Sequence, residues 1–394
     1  HQVRAPGFNV IQIMLVHRIP TGNIYGRRFD SFDGVDWKAG PPMDVPDDYW
    51  SVIDTVIGLA EERGLYTALV PVWGSVVKSG ALSAETASAY GSWLGRHFRD
   101  RPNIIWLNGG DVRGDQCPDV WQALGSAIKE HDPNHLMTFH PFGRTDSSTW
   151  FHQADWLDFN AFQSGHRRYD QSPSEDSDEG NISYGEDNWR YVLADLERTP
   201  RKPTIDSEPS YEGIPQGLHD PNEPFWEACD ARRYAYWSVA AGAFGHTYGH
   251  SAIMQMHKPQ FAPGAYGVRS TWSEALDAPG AGQMRHLRSL FESVDYAHGQ
   301  YAPEVVLQGG GERYERLISN RGPGYAIVYA YTSQAMTIDL AAACPGAERI
   351  TAEWFLPSDG STLPIGTFPP EPQRFEPEIP TRPGNDIVLL LRSS

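Results

Sequence analysis

Basic side chains are scarce in this chain: 32 Lys and Arg stand against 50 Asp and Glu, a formal charge of −18. Binding a nucleic-acid backbone draws on counterion release by clustered cations, so a generic phosphate-backbone binder is excluded and no nucleic-acid partner is expected. Long apolar runs are missing as well. Nothing approaches the roughly eighteen consecutive apolar residues of a membrane helix, so no membrane partner is expected. Cysteine is nearly absent: Cys117, Cys229 and Cys344 lie far apart and form neither a CxxC nor a Cys/His zinc pattern. That count builds no disulfide framework. Neither it nor the first residue, a histidine, assigns a compartment. Glycine-rich phosphate loops of the GxGxxG or GxxxxGK[ST] type are lacking, which removes the usual nucleotide-binding signatures.

What is present suits a large folded core. Hydrophobic residues make up 40% of 394, with 13 Trp, 18 Tyr and 16 Phe. That length predicts about two to three structural units. Up to residue 297, short apolar runs alternate with amphipathic stretches. The runs predict buried strands at Phe8–Leu15, Tyr66–Val72, Ile104–Leu107, Leu136–His140, Phe159–Gln163, Pro203–Glu208 and Ala243–Tyr248. Helices are expected near 47–63, 84–99, 119–131, 187–198 and 226–241. In the first of these, Val52, Val56, Leu59 and Ala60 fall on one stripe, with Pro46-Asp47 before it and Gly64 after it as start and stop signals. Strands separated by helices imply parallel β-α units with right-handed crossovers.

Nearly every predicted strand runs straight into polar or aromatic residues: Trp73, Asn108, His140, Gln163, His166 and His246 all stand at such ends. A (β/α)8 TIM barrel gathers these ends at one mouth, whereas a doubly wound sheet concentrates them at one switch point. The expected fold is therefore α/β, a barrel over residues 1–297. From 298 to 394 the pattern changes to short runs spaced by Gly, Pro and Asp: Arg316–Ser319, Tyr325–Tyr331, Met336–Leu340, Ile350–Phe355 and Ile387–Leu391. This predicts a small all-β sandwich domain, with the Pro-rich run Pro369–Pro380 as a loop within it.

Two strand-end carboxylates are candidates for chemistry, Asp111 after Asn108-Gly-Gly and Glu208 after Thr-Ile-Asp-Ser. Glycoside hydrolysis needs one protonated acid and one ionised partner, and Gly109-Gly110 would let a sugar approach closely. The same positions equally suit a turn cap for Asp111 and an arginine ion pair for Glu208. His140, His166, His246 and His250 cluster at strand ends too. Without HExxH or an early His-x-His, they are read as partners of sugar hydroxyls or carboxylates, and no metal or cofactor is expected. Trp73, Tyr211 and Tyr248 could stack on a sugar face or simply pack, while Trp106, inside its strand, reads as core. The acidic stretch Asp170–Glu179 reads as a solvated loop, with a lid role as the alternative.

At these residues the chain resembles a known family. Phe8–Gln12, Asn103–Asp111, Asp132–Pro141, Asp155–Asn160, Lys202–Glu212, Gly242–His250 and Glu274–Gly280 recur in order in the apiosidase-like (β/α)8 glycoside hydrolases, glycoside hydrolase family 140. The likeness covers roughly residues 7–295, and the family carries a collagen-binding-type β-sandwich after it, matching residues 300–394 in position. The resemblance implies Asp111 as acid/base and Glu208 as nucleophile of a retaining mechanism, with Asp111 starting protonated beside the charge of Glu208. Trp73, Asn108, His140, Gln163, His166, Tyr211, His246, Tyr248 and His250 would contact the substrate, an oligo- or polysaccharide. The implied activity is release of a terminal apiose-like furanose. The alternatives are a related arabinose-type furanosidase and a catalytically silent carbohydrate-binding barrel. The family opens with a further strand and helix, whereas this chain begins just before Phe8 and shows seven barrel strands. Counting that segment, Asp111 ends strand four and Glu208 strand seven.

Overall fold

The computed structural model describes residues 7–22, 26, 28–32, 49–171, 183–260 and 263–394. They divide into two compact units. Of the described residues, 8–163 fall in the first, and 164–171 with 184–394 in the second.

The first unit is built on a parallel sheet in the order Val10–Met14, Tyr66–Val70, Ile104–Val112, Met137–Pro141. Helices Tyr49–Glu61, Ala84–Phe98 and Pro118–His131 alternate with the strands, as crossover units require. The buried stripe of the first helix differs from the expected one: Trp50, Ile57 and Ala60 are buried, whereas Val56 and Leu59 are 39% and 45% exposed. Trp50 sets that rotation, because its ring packs against Phe29, Tyr90 and Trp93 and turns the neighbouring face to solvent. The expected start signal Pro46-Asp47 lies outside the described residues; Gly64 does follow the helix, in the left-handed conformation. Trp106 is core, fully buried with its indole N–H donated to Asp132 at 2.8 Å.

The strand expected at Ile104–Leu107 continues to Val112, and its register shifts between Gly109 and Val112. Three consecutive residues with positive φ carry that irregularity: Gly109 at 88°, Gly110 at 130° and Asp111 at 49°. Only glycine takes the first two without steric cost. The bulge tips Asp111 out of the ladder, the common use of a bulge beside a site.

In the second unit, Thr204–Asp206 is a short strand, and helices Asn188–Leu196, Ala228–Ala240 and Pro279–Glu292 surround it in sequence. The expected strand Ala243–Tyr248 is not regular. Among the described residues it contributes a parallel bridge of His246 to Asp206, and His250 just beyond it bridges to Glu212. Gly245 interrupts the run and Gly242 and Gly249 flank it, and glycine weakens a strand by entropy and by offering nothing to pack.

The C-terminal part is all-β. A six-stranded antiparallel sheet runs Gln300–Tyr301, Ile318–Gly322, Tyr325–Ala330, Ile387–Ser393, Ile350–Phe355, Thr362–Phe368. A three-stranded antiparallel sheet runs Val306–Gln308, Met336–Ile338, Gln373–Phe375. The last of these strands falls in the expected Pro-rich loop, because Phe375 buries its ring against Trp354 and Phe368. Ala326, Val328, Ala330, Leu389 and Leu391 share one core with Met336, Ile338 and Phe375. The opposite face of Tyr325–Ala330 is buried as well: Tyr329 stacks on Tyr236 of helix Ala228–Ala240 at 4.8 Å and 12°. Arg232 of the same helix forms a buried bidentate pair with Asp386, with bonds of 2.6 and 2.9 Å. The β-rich part is thus packed into the unit that carries Glu208.

Candidate active site

In the first unit the bulge gathers three of the expected residues. The Asp111 backbone N–H donates to His140 Nδ1 at 3.3 Å, which leaves the proton of a neutral His140 on Nε2. The His140 ring lies 5.6 Å from that of Trp73. Trp73 covers Gly110 so closely that a Cβ there would come within 2.6 Å of its Cε3. Asp111, partly buried, stands beside this aromatic wall. Asn108 is turned inward instead: its Nδ2 donates to the Trp121 carbonyl at 2.9 Å, and its Oδ1 accepts from the Gly109 N–H at 3.0 Å. Those bonds make Asn108 a fastener of the bulge. Gln163 is buried with its Oε1 unpaired, while its backbone carbonyl accepts from the Arg144 N–H at 2.6 Å.

In the second unit Glu208 stands two residues past its strand, with a side chain 12% exposed. His166 Nε2 lies 3.1 Å from Glu208 Oε1. The Tyr211 backbone N–H reaches His166 Nδ1 at 3.4 Å, so Nδ1 is the acceptor and Nε2–H donates to the carboxylate. Tyr211 also packs edge-on against His166, with centroids 4.7 Å apart, and lies over Gly249, where a Cβ would meet its ring at 2.0 Å. The His166 backbone is pinned in turn: its carbonyl accepts from Trp226 Nε1 at 2.9 Å and from the Gly217 N–H at 2.7 Å.

Two expected contact residues each commit a polar atom to an internal hydrogen bond. Tyr248 donates its hydroxyl to Glu212 Oε2 at 2.6 Å, and the Gly280 N–H donates to the same oxygen at 3.0 Å. Burial pushes the Glu212 carboxyl above its ordinary value. His250 caps the helical turn Ser251–Met254 by accepting from the Ala252 N–H at 3.1 Å. Burial lowers its pKa. Burial also drives His246 down to about 3, so it is a neutral imidazole at physiological pH. Its Nδ1 has no hydrogen-bond partner.

Asp206 and Glu212 are the residues that sequence reasoning missed. Asp206 is fully buried and accepts from Ser164 Oγ at 2.6 Å, the Ser164 N–H at 3.3 Å and Asn188 Nδ2 at 3.2 Å. Burial pushes its carboxyl up to about 6. A signal existed: Asp206 lies two residues before Glu208, the spacing of an Asx-type turn. The acidic stretch Asp170–Glu179 lies mostly outside the described residues; Asp170 itself pairs with Arg168 at 2.9 Å. Among the described residues no group of three or more His, Cys, Asp or Glu is placed to hold a metal ion, and no helix is long and apolar enough to cross a membrane.

Comparison with known families now decides the assignment. The "Apiosidase-like, catalytic domain" family model matches residues 1–298. The chain belongs to the apiosidase-like family. It is a glycoside hydrolase, and its substrate is a carbohydrate. A second family model, "Putative collagen-binding domain of a collagenase", matches residues 302–392. A solved structure titled "Glycoside hydrolase" is 43% identical with a TM-score of 0.94, covering 100% of this apiosidase-like chain and 87% of its own. A glycoside hydrolase family 5 structure from Bacteroides vulgatus is 41% identical with a TM-score of 0.93, covering 100% and 84%. A comparison with curated proteins finds no match. The apiosidase-like chain therefore has an α/β glycoside hydrolase fold followed by an all-β domain of antiparallel sheets.

Proposed function

We propose that this chain is a retaining hydrolase that releases a terminal, apiose-like furanose from a plant or bacterial glycan, with Glu208 as nucleophile and Asp111 as acid/base on a (β/α)8 barrel of residues 1–297. The observation that carries the reading is the His166–Glu208 bond. A carboxylate that accepts an oriented imidazole N–H at 3.1 Å is held and aimed, as a nucleophile must be. Asp111 is presented differently, on a bulge behind two glycines and beside Trp73, where an aromatic face can receive a sugar ring.

The chemistry runs in two displacements. Glu208 attacks the anomeric carbon while the Asp111 proton passes to the departing glycosidic oxygen, leaving a covalent glycosyl-enzyme. Asp111 then takes a proton from water, the hydroxide oxygen bonds to the anomeric carbon, and the Glu208 ester bond breaks. The furanose preference rests on membership of the apiosidase-like family.

The test is a panel of 4-nitrophenyl apiofuranosides, arabinofuranosides and pyranosides, with the released sugar identified by mass and its first-formed anomer by NMR. The reading expects apiose release with retained configuration, and Glu208→Gln is expected to abolish turnover while leaving Tm within about 2 °C, because the amide oxygen still accepts from His166. Cleavage of arabinosides alone would move the substrate to the arabinose class. Wild-type turnover by Glu208→Gln would remove Glu208 from the mechanism.

A further inference from the structure

We infer that Asp206 is the positioning residue for the nucleophile, holding Glu208 through its backbone and through His166 together; the inference rests on the assignment of Glu208 above. Two cross-links run in step between segments 42 residues apart. Ser164 bonds Asp206, and His166 bonds Glu208. Between them the Gly165 N–H donates to the Glu208 carbonyl at 3.2 Å, and Ser210 Oγ donates to the Gly165 carbonyl at 2.7 Å. The Glu208 N–H is itself a donor to the Asp206 carboxylate, closing a turn of the Asx type.

A single buried acceptor therefore ties down the nucleophile's own amide and the segment that presents the orienting imidazole. The donors around it are neutral: a hydroxyl, an amide side chain and backbone N–H groups. No cation balances the charge among its hydrogen-bond partners, so ionised Asp206 is an expensive group in this interior. Stability alone gives no reason to keep it. An acceptor-only group is needed because every neighbour donates. Asparagine at 206 would aim an NH2 at one of them, and Ser164, Gly165 and His166 would shift with it. A displacement well under 1 Å at His166 rotates the Glu208 carboxylate away from the line of attack, where rate is most sensitive to geometry.

The experiment compares Asp206→Asn, Ser164→Ala and the double variant in the full chain. Turnover is followed on the fastest-cleaved 4-nitrophenyl glycoside of the panel, and the His166 ring is followed by nitrogen NMR of histidine-labelled protein, assigned with His166→Gln. Expected are a fall in kcat of about 10²-fold for Asp206→Asn and about 10-fold for Ser164→Ala, with KM within about threefold in both. The double variant should be no worse than Asp206→Asn, because both act through one chain of contacts. The His166 signals should lose the single Nε2–H tautomer of the wild type in both variants. Ser164→Ala keeps the inference testable if Asp206→Asn does not fold. An unchanged His166 tautomer, or a kcat that falls only as the folded fraction falls, overturns the inference. Wild-type turnover by Glu208→Gln is a separate failure, of the nucleophile assignment; the His166 spectra then decide alone whether Asp206 positions that ring.

Discussion

Replacing Asp386 with alanine should be among the most damaging single changes to the stability of this protein. The carboxylate sits 5% exposed and receives Arg232 Nη2 at 2.6 Å and Nε at 2.9 Å, with the Tyr329 hydroxyl at 3.2 Å. Arg232 is 4% exposed, so removing its partner leaves a guanidinium in the interior with Gln283 and the Gly384 carbonyl as its remaining acceptors. Breaking one side of such a pair costs about 3–5 kcal/mol, most of it the stranded charge. With about 2–4 °C per kcal/mol for a unit of this size, Tm should fall by roughly 6–20 °C in a calorimetric or circular-dichroism melt. Asp386→Asn keeps an acceptor and should lose about half as much. The paired change Arg232→Met with Asp386→Leu should recover most of the loss, because an apolar pair strands no charge. A melt of Asp386→Ala within about 2 °C of wild type would refute the reasoning, and with it the view that the β-rich part is fastened through this pair.

Three further outcomes follow from the geometry. Gly110→Ala forces a Cβ to 2.6 Å from Trp73 Cε3 at a φ of 130°, so it should lower Tm and cut kcat by more than about 10-fold as the bulge carrying Asp111 shifts; steady-state kinetics and a melt check both. Tyr248→Phe leaves Glu212 without the hydroxyl at 2.6 Å and should cost about 1–3 kcal/mol in urea unfolding with KM nearly unchanged; a KM rise without loss of stability would return Tyr248 to substrate contact. The third concerns pH. Asp206 titrates near 6 when folded against 3.8 for the free group, so the folded state binds the proton more tightly. Its contribution to stability is present below pH 3.8 and is lost as pH rises towards 6, by about 3 kcal/mol in all. The stability of Asp206→Asn relative to wild type should therefore climb by about that amount between pH 4 and 7, measured by urea unfolding at each pH. A flat difference would mean that Asp206 has an unshifted pKa.

Most helices were legible in the chain because their periodicity and stops are local. Ala84–Phe98, expected at 84–99, begins with Ser83 accepting from the Thr86 N–H, a cap made within one turn of chain. The rotation of helix Tyr49–Glu61 was not legible. Its stripe of Val52, Val56, Leu59 and Ala60 is a valid amphipathic face; Ala60 is buried as expected, and the aromatic contacts of Trp50 turn Val56 and Leu59 outward. The strand Gln373–Phe375 was hidden for a related reason: Pro369, Pro370 and Pro372 argue for a loop locally, and the partner that overrides them, Met336–Ile338, is remote in sequence.

At the site the division is similar. Asp111 and Glu208 could be singled out because carboxylates at strand ends beside glycine are marked by residue type and order alone. Motif order also sufficed to name the family. What only the tertiary structure decided is how each polar atom is used. Asn108, Tyr248 and His250 read from sequence as sugar contacts; in the structure Asn108 donates to a carbonyl, Tyr248 donates to a carboxylate, and His250 accepts from the N–H of a helical turn. Asp206 lay inside an expected strand with no role attached, yet it is a buried acceptor for Ser164 and Asn188, which lie 42 and 18 residues away. A sequence fixes the inventory of donors and acceptors; which pairs form depends on segments some forty residues apart meeting in register, and no local pattern encodes that.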